Sequence, residues 1–169
     1  HGTGEAKTGG NYAASLLTQQ EGDKQGCSQV MYLDAESSTY IEELGGMNLF
    51  FVYSDGQVVT PPLDGTILHG ITRDSVITLL KDAGHLVTER KVSLEEVRKD
   101  VASGSITEVF ACGTAAVITP VGLLKSRAEE IVIGNNEPGT ITVALRTKLT
   151  GIQYGLVEDS HNWMHKLAD

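Results

Sequence analysis

Residues 39–62 do most to limit what this chain can fold into. Two stretches rich in β-branched, aromatic and aliphatic residues, 39–43 and 47–53, precede Ser54-Asp55-Gly56 and a third extended stretch, 57–60, and Pro61-Pro62 ends the run. Asp-Gly between two extended stretches is hairpin chemistry, because glycine adopts the positive φ of a tight turn without strain. Proline has no N–H to give to a ladder, so it closes the last strand. A hairpin cannot stand alone in water, and the rest of the chain must supply more strands and something to cover them.

It does so irregularly. Helical spacing is expected over residues 12–20, where Tyr12, Leu16 and Gln19 or Gln20 share a face and Gly22 or Gly26 closes the element. A second helix, capped by Thr72, runs to Asp82 with Val76, Leu79, Leu80 and Ala83 on one side and stops at Gly84. Ser93 and Glu96 have capping-box spacing, which starts a third helix ending by Gly104. The last helix, 140–154, carries Ile141, Leu145, Leu149 and Ile152 as its apolar stripe. Further strands are expected at 28–34, 86–92, 106–110, 115–121 and 130–133, with Gly113-Thr114 between the third and fourth of these. The expected class is therefore α+β: a mixed, partly barrel-like sheet with peripheral helices. No Gly-x-Gly-x-x-Gly turn follows any strand, so a dinucleotide fold is not expected. Residues 1–155 read as one domain and 156–169 as a polar tail anchored by Trp163.

Composition excludes several function classes. The 169 residues, 40% hydrophobic, suffice for one core. Net charge is −9, and no Lys/Arg cluster forms a stripe along which a phosphate backbone could run, so nucleic acid is not an expected partner. No apolar run reaches the about 18 residues needed to cross a bilayer, and no signal-type start is present, which makes a cytoplasmic location the expectation. Cys27 and Cys112 stand 85 positions apart without a Cys-x-x-Cys, and the five histidines are dispersed, so neither a disulfide framework nor a metal site is expected.

Chemistry is concentrated in four glycine-marked segments. Gly4-Glu5-Ala6-Lys7-Thr8-Gly9-Gly10-Asn11-Tyr12 sets a lysine amine where backbone can approach a planar group closely. The others are Glu42-Glu43-Leu44-Gly45-Gly46-Met47-Asn48-Leu49-Phe50, Gly65-Thr66-Ile67-Leu68-His69-Gly70-Ile71-Thr72-Arg73, and Cys112-Gly113-Thr114-Ala115-Ala116. In this order and spacing they resemble the branched-chain amino acid aminotransferases, members of the fold-type IV pyridoxal-phosphate enzymes, and the resemblance runs from about His1 to about Tyr154.

The resemblance implies a role for each segment. Lys7 would be the catalytic amine that bonds the aldehyde of pyridoxal 5'-phosphate and moves a proton at the substrate α-carbon. Glu43 would face the pyridine nitrogen, and Tyr12 would donate a hydrogen bond to the ring hydroxyl oxygen. The amides of Ile71 and Thr72, with the Thr72 hydroxyl, would hold the phosphate at a helix start, where unpaired N–H groups favour an anion. Thr114 would be a second phosphate contact, and the Ala115 amide would meet the substrate carboxylate. Arg73, a cation in a first helical turn, would need a partner that the sequence does not name. Implied partners are amino acid and 2-oxo acid substrates, a second copy in a homodimer, and an N-terminal domain that family members carry ahead of the lysine segment. The chain begins at His1, which suggests a fragment of a longer enzyme. Other readings remain: a D-amino acid aminotransferase or aminodeoxychorismate lyase of the same fold type, or a non-catalytic domain keeping only the fold.

Overall fold

The computed structural model of the protein describes residues 3–167. In chain order its elements are α1 (Gly9–Lys24), β1 (Met31–Leu33), β2 (Ile41–Leu44), β3 (Met47–Tyr53), β4 (Val58–Thr60), α2 (Ile71–Asp82), β5 (Val87–Glu89), α3 (Leu94–Ala102), β6 (Ile106–Gly113), β7 (Val117–Pro120), β8 (Leu123–Lys125), β9 (Glu130–Val132), a 3₁₀ turn at Gly134–Asn136, and α4 (Thr140–Gln153). The class is α+β. Seven strands form one mixed sheet centred on β3: β6 pairs along one edge of it, while β2 and β4 share the other, and only β4 with β5 is parallel. The sheet forms no closed barrel among the described residues, because β1, β5 and β7 each keep an unpaired edge.

Strand alternation divides the core in two. Phe50, Val52, Phe110 and Cys112 face α2 and α4, joining Val76, Leu80, Leu145, Leu149 and Ile152. Leu49, Phe51, Val109 and Ala111 face the other way, toward Val97 of α3 and Ile133. Phe50 and Phe110, cross-strand partners, stack with centroids 4.9 Å apart.

Several boundaries differ from the sequence expectation. Helix α1 runs past Gln20 and through Gly22, and ends where Gly26 turns to φ 77°. It buries no residue; Leu16 and Leu17 are 64% and 69% exposed. Strand β6 continues to Gly113 because its ladder with β7 extends to the Gly113–Val117 pair. The β8–β9 hairpin includes a strand, Leu123–Lys125, too short to give a periodic signal. The cap of α2 is Gly70 rather than Thr72: the Gly70 carbonyl accepts from Asp74 N–H at 3.1 Å.

Helix starts use different devices. Ser93 Oγ accepts from Glu96 N–H at 3.0 Å, whereas the Glu96 carboxylate turns away to Arg90 at 2.6 Å and to the Tyr53 hydroxyl at 2.9 Å. The start of α4 is capped from the sheet: buried Glu108 accepts from the amides of Ile141 and Thr142 at 3.0 and 2.8 Å and from the Thr142 hydroxyl at 2.7 Å. Beyond α4, His161 Nε2 lies 2.6 Å from Asp82 and its ring stacks on Trp163, which ties the tail to the end of α2. Among the described residues no helix is long and apolar enough to cross a membrane.

Candidate functional site

The site begins with a two-residue turn. Leu44 pairs with Met47, and Gly45 and Gly46 between them have φ of 57° and 87°, the conformation of a tight hairpin loop that side-chain-bearing residues resist. This turn sets Glu43 directly across from Asn48, and Asn48 across from Cys112 on β6. Cross-strand neighbours share a face, so Glu43 and Asn48 stand in one row on the side covered by α2.

At the Glu43 end of this row lies a cavity of about 300 Å³, within the range of small-molecule sites. Its walls come from distant parts of the chain: Lys7 and Ala6 from the leading segment, Asn11 and Tyr12 from α1, Tyr32 from β1, Glu42 and Glu43 from β2, and Thr66 and Leu68 from the loop before α2. Each wall has a visible support. A Cβ on Gly4 would stand 1.9 Å from the Thr66 carbonyl oxygen, so the lysine segment lies flat on that loop. The Asn11 amide donates to the carbonyls of Thr3 and Ala6, at 2.7 and 2.8 Å, and its oxygen accepts from the Thr3 hydroxyl, which shapes the turn carrying Lys7. The Tyr12 ring passes 3.7 Å from where a Cβ on Gly46 would be.

Glu43 is the electrostatic centre. Burial raises its pKa above the ordinary carboxylate value; the Leu68 amide, donating to Oε1 at 3.0 Å, opposes that shift, and neighbouring Glu42 adds to it. Glu42 accepts from the Thr66 hydroxyl at 2.7 Å. Among the described residues no donor reaches Oε2 of Glu43, while Oε1 accepts from Leu68 N–H and, at 3.4 Å, from the Asn48 amide.

Of the site residues expected from sequence, the cavity gathers Lys7, Tyr12 and Glu43. Ile71, Thr72, Thr114 and Ala115 lie outside its lining. Ile71 and Thr72 form the first turn of α2, with amides that helix geometry leaves without a partner inside the helix. Thr114 and Ala115 sit in the loop joining β6 to β7, both exposed, and the next strand opens with Val117 at φ 57°, a left-handed conformation costly for a β-branched residue. The two segments meet neighbouring residues of β3 on opposite faces of the sheet: a Cβ on Gly70 would lie 2.3 Å from the Asn48 oxygen, and one on Gly113 would lie 3.2 Å from Met47, which packs with the other core.

Arg73 finds partners absent from the sequence reading. Its buried guanidinium donates to the Pro61 carbonyl at 3.0 Å and to Glu89 at 2.7 Å, leaving Nε without one. Cys112, pushed up to about 12 by burial, stays a thiol at ordinary pH. Sequence reasoning assigns no role to Asn11 or Asn48, although an asparagine inside an apolar strand is itself a signal, since strands are poor in it.

The sequence pattern of the amino-transferase class IV family matches residues 3–124, and the chain belongs to this family. It is 56% identical to the branched-chain-amino-acid aminotransferases of Mycolicibacterium smegmatis and Mycobacterium tuberculosis, over 98% and 99% of its length. It spans 46% of those relatives. Among solved structures, the branched-chain amino acid aminotransferase of Escherichia coli superposes with a TM-score of 0.83 at 36% identity, covering 98% of this chain and 51% of that one. The T.th. branched-chain amino acid aminotransferase complexed with N-(5'-phosphopyridoxyl)-L-glutamate superposes at 0.82 and 33% identity, covering 96% and 50%.

Proposed function

We propose that these residues form the cofactor-bearing part of a pyridoxal-phosphate-dependent aminotransferase that exchanges amino groups between leucine, isoleucine or valine and 2-oxoglutarate. The observation that carries this reading is the meeting of Lys7, Tyr12 and Glu43 on one cavity, where among the described residues both hydrogen bonds to the half-buried Glu43 carboxylate fall on Oε1. An amine, a phenol and a half-satisfied, half-buried carboxylate are the groups such a ring requires, so the residues present fit the group.

When bound, pyridoxal phosphate supplies an aldehyde for amines and a protonated ring that withdraws electrons. Lys7 would bond that aldehyde and, once released, carry a proton at the substrate α-carbon. Glu43, ionised, would hold the ring N–H and keep it protonated by charge pairing. Tyr12 would donate to the ring oxygen. The first-turn amides of α2 at Ile71 and Thr72, the Thr72 hydroxyl and Thr114 would bind the phosphate, and the Ala115 amide the substrate carboxylate. The enzyme is read as a cytoplasmic homodimer whose N-terminal domain, outside these residues, closes the cavity against water.

The full-length polypeptide tests this. With cofactor, L-leucine and 2-oxoglutarate it should produce glutamate, while D-alanine should not serve as donor. Borohydride reduction should fix the cofactor on the peptide containing Lys7. Cofactor trapped on a different lysine, or transfer from D-alanine alone, would overturn the reading.

A further inference from the structure

A buried amide in an apolar strand needs a reason. Asn48 is 6% exposed and is followed by Leu49, Phe50, Phe51 and Val52, all buried, so an apolar residue would suit the core better unless the amide's hydrogen bonds are needed. Its Nδ2 donates to the Leu68 carbonyl at 3.1 Å and toward Oε1 of Glu43 at 3.4 Å, beyond the ordinary N–H···O distance of about 2.9–3.0 Å. The Leu68 amide donates to the same Oε1, at 3.0 Å, which closes a ring of three groups: carboxylate, side-chain amide and backbone peptide. Both donors act on one oxygen.

We propose that Asn48 is a positioning residue for Glu43: held between the Leu68 carbonyl and Oε1, and backed by Gly70, its amide determines that Oε2 faces the cavity. Gly70 completes the clamp. A Cβ there would stand 2.3 Å from the Asn48 oxygen, so a side chain at position 70 would push the amide off the carboxylate. Since Gly70 also caps α2, one side chain indexes the carboxylate to the start of that helix, and the acid and the expected phosphate cradle keep a set separation. The inference rests on Glu43 being the partner of the ring nitrogen. A purely structural role, tying sheet to loop through the Leu68 carbonyl, would leave the carboxylate's behaviour untouched.

The test uses the cofactor-free full-length protein carrying ¹³C-labelled glutamate, with the Glu43 carboxyl signal assigned by its loss in Glu43→Gln. Around this carboxyl stand Glu42 on its own strand and Lys7, Tyr12 and Tyr32 on the cavity walls, all left in place. Asn48→Asp replaces two donors with a like charge, so the Glu43 titration midpoint should rise by about one pH unit or more. Gly70→Ala, which displaces the amide without altering Glu43 or Asn48, should move it the same way by less. In the loaded enzyme both variants should lower kcat about tenfold with KM little changed. If the midpoint stays put in folded Asn48→Asp and in Gly70→Ala, the inference is wrong; where Asn48→Asp does not fold, Gly70→Ala alone decides. Near-normal turnover of Glu43→Gln would instead sink the reading of Glu43, even with the midpoint shifts observed.

Discussion

The two walls of the cavity are built to different standards. On the sheet side, Glu43 stands on a ladder whose neighbours, Leu49 to Val52 and Val109 to Cys112, are almost fully buried, and α2 presses on it with Arg73, Val76, Ile77, Leu79 and Leu80 buried. On the lysine side, α1 buries nothing, and Lys7 is held by a turn that Asn11 shapes and by contact with the Thr66 loop. Local opening concentrates where few apolar contacts are made. The comparison shows a rigid acid wall and an adaptable amine wall. That division suits the roles proposed for the two residues, in which the lysine would be released and return while the carboxylate would stay in place. The chain spans about half of its relatives' length, and α1, which follows the lysine segment, buries none of its residues.

The widest separation of the two walls comes from Lys7→Ala. In the full-length enzyme turnover should fall at least about ten-thousandfold, as when a nucleophile is removed. The cofactor-free melting temperature should barely change, because exposed positions contribute within about 0.5 kcal/mol. A large loss of stability would mean that the lysine wall is not loosely held. On the sheet side, Phe110→Ala removes half of the stacked pair behind Glu43 and should cost about 3–5 kcal/mol in urea unfolding, with loss of cofactor affinity following from the disturbed ladder.

Glu43→Gln should lower turnover about a hundredfold, since a neutral amide cannot pair with the protonated ring. Its stability should move the other way. Burial raises the folded-state pKa of Glu43, so its contribution is complete below the ordinary carboxylate value and declines as pH rises through the raised one. Urea midpoints of cofactor-free wild type should therefore fall relative to Glu43→Gln as pH climbs through that window; parallel curves would show that the carboxylate is better solvated than its surroundings indicate. The smallest effect belongs to Leu16→Ala on α1, within about 0.5 kcal/mol in the 169-residue chain. In a longer form with the proposed N-terminal domain over this helix the same change should cost more, and the difference between the two measurements sharpens the contrast directly. The 169-residue chain itself should bind pyridoxal phosphate weakly and transaminate poorly beside the full-length form, since it offers the phosphate no arginine from these walls and a desolvated dianion without a cation is costly.

Much of this was legible in the residues. The Ser54-Asp55-Gly56 turn, the Pro61-Pro62 stop, the Ser93 cap and the stripe of α4 are local signals, written in backbone preference and spacing, and each appears in the fold. The four glycine-marked segments pointed to the family, whose pattern matches residues 3–124, and to the chemistry proposed above. Tertiary structure decided the rest. That Gly70 rather than Thr72 caps α2, that Arg73 answers to Glu89, that Glu108 caps α4 from the sheet and that Asn48 holds Oε1 of Glu43 all depend on contacts between residues 4 to 34 positions apart. Spacing along a chain cannot specify such contacts. The Glu43–Asn48 contact follows from the register of β2 and β3, which a two-residue turn sets, and the contacts of Arg73 and Glu108 follow from where α2 and α4 pack on the sheet.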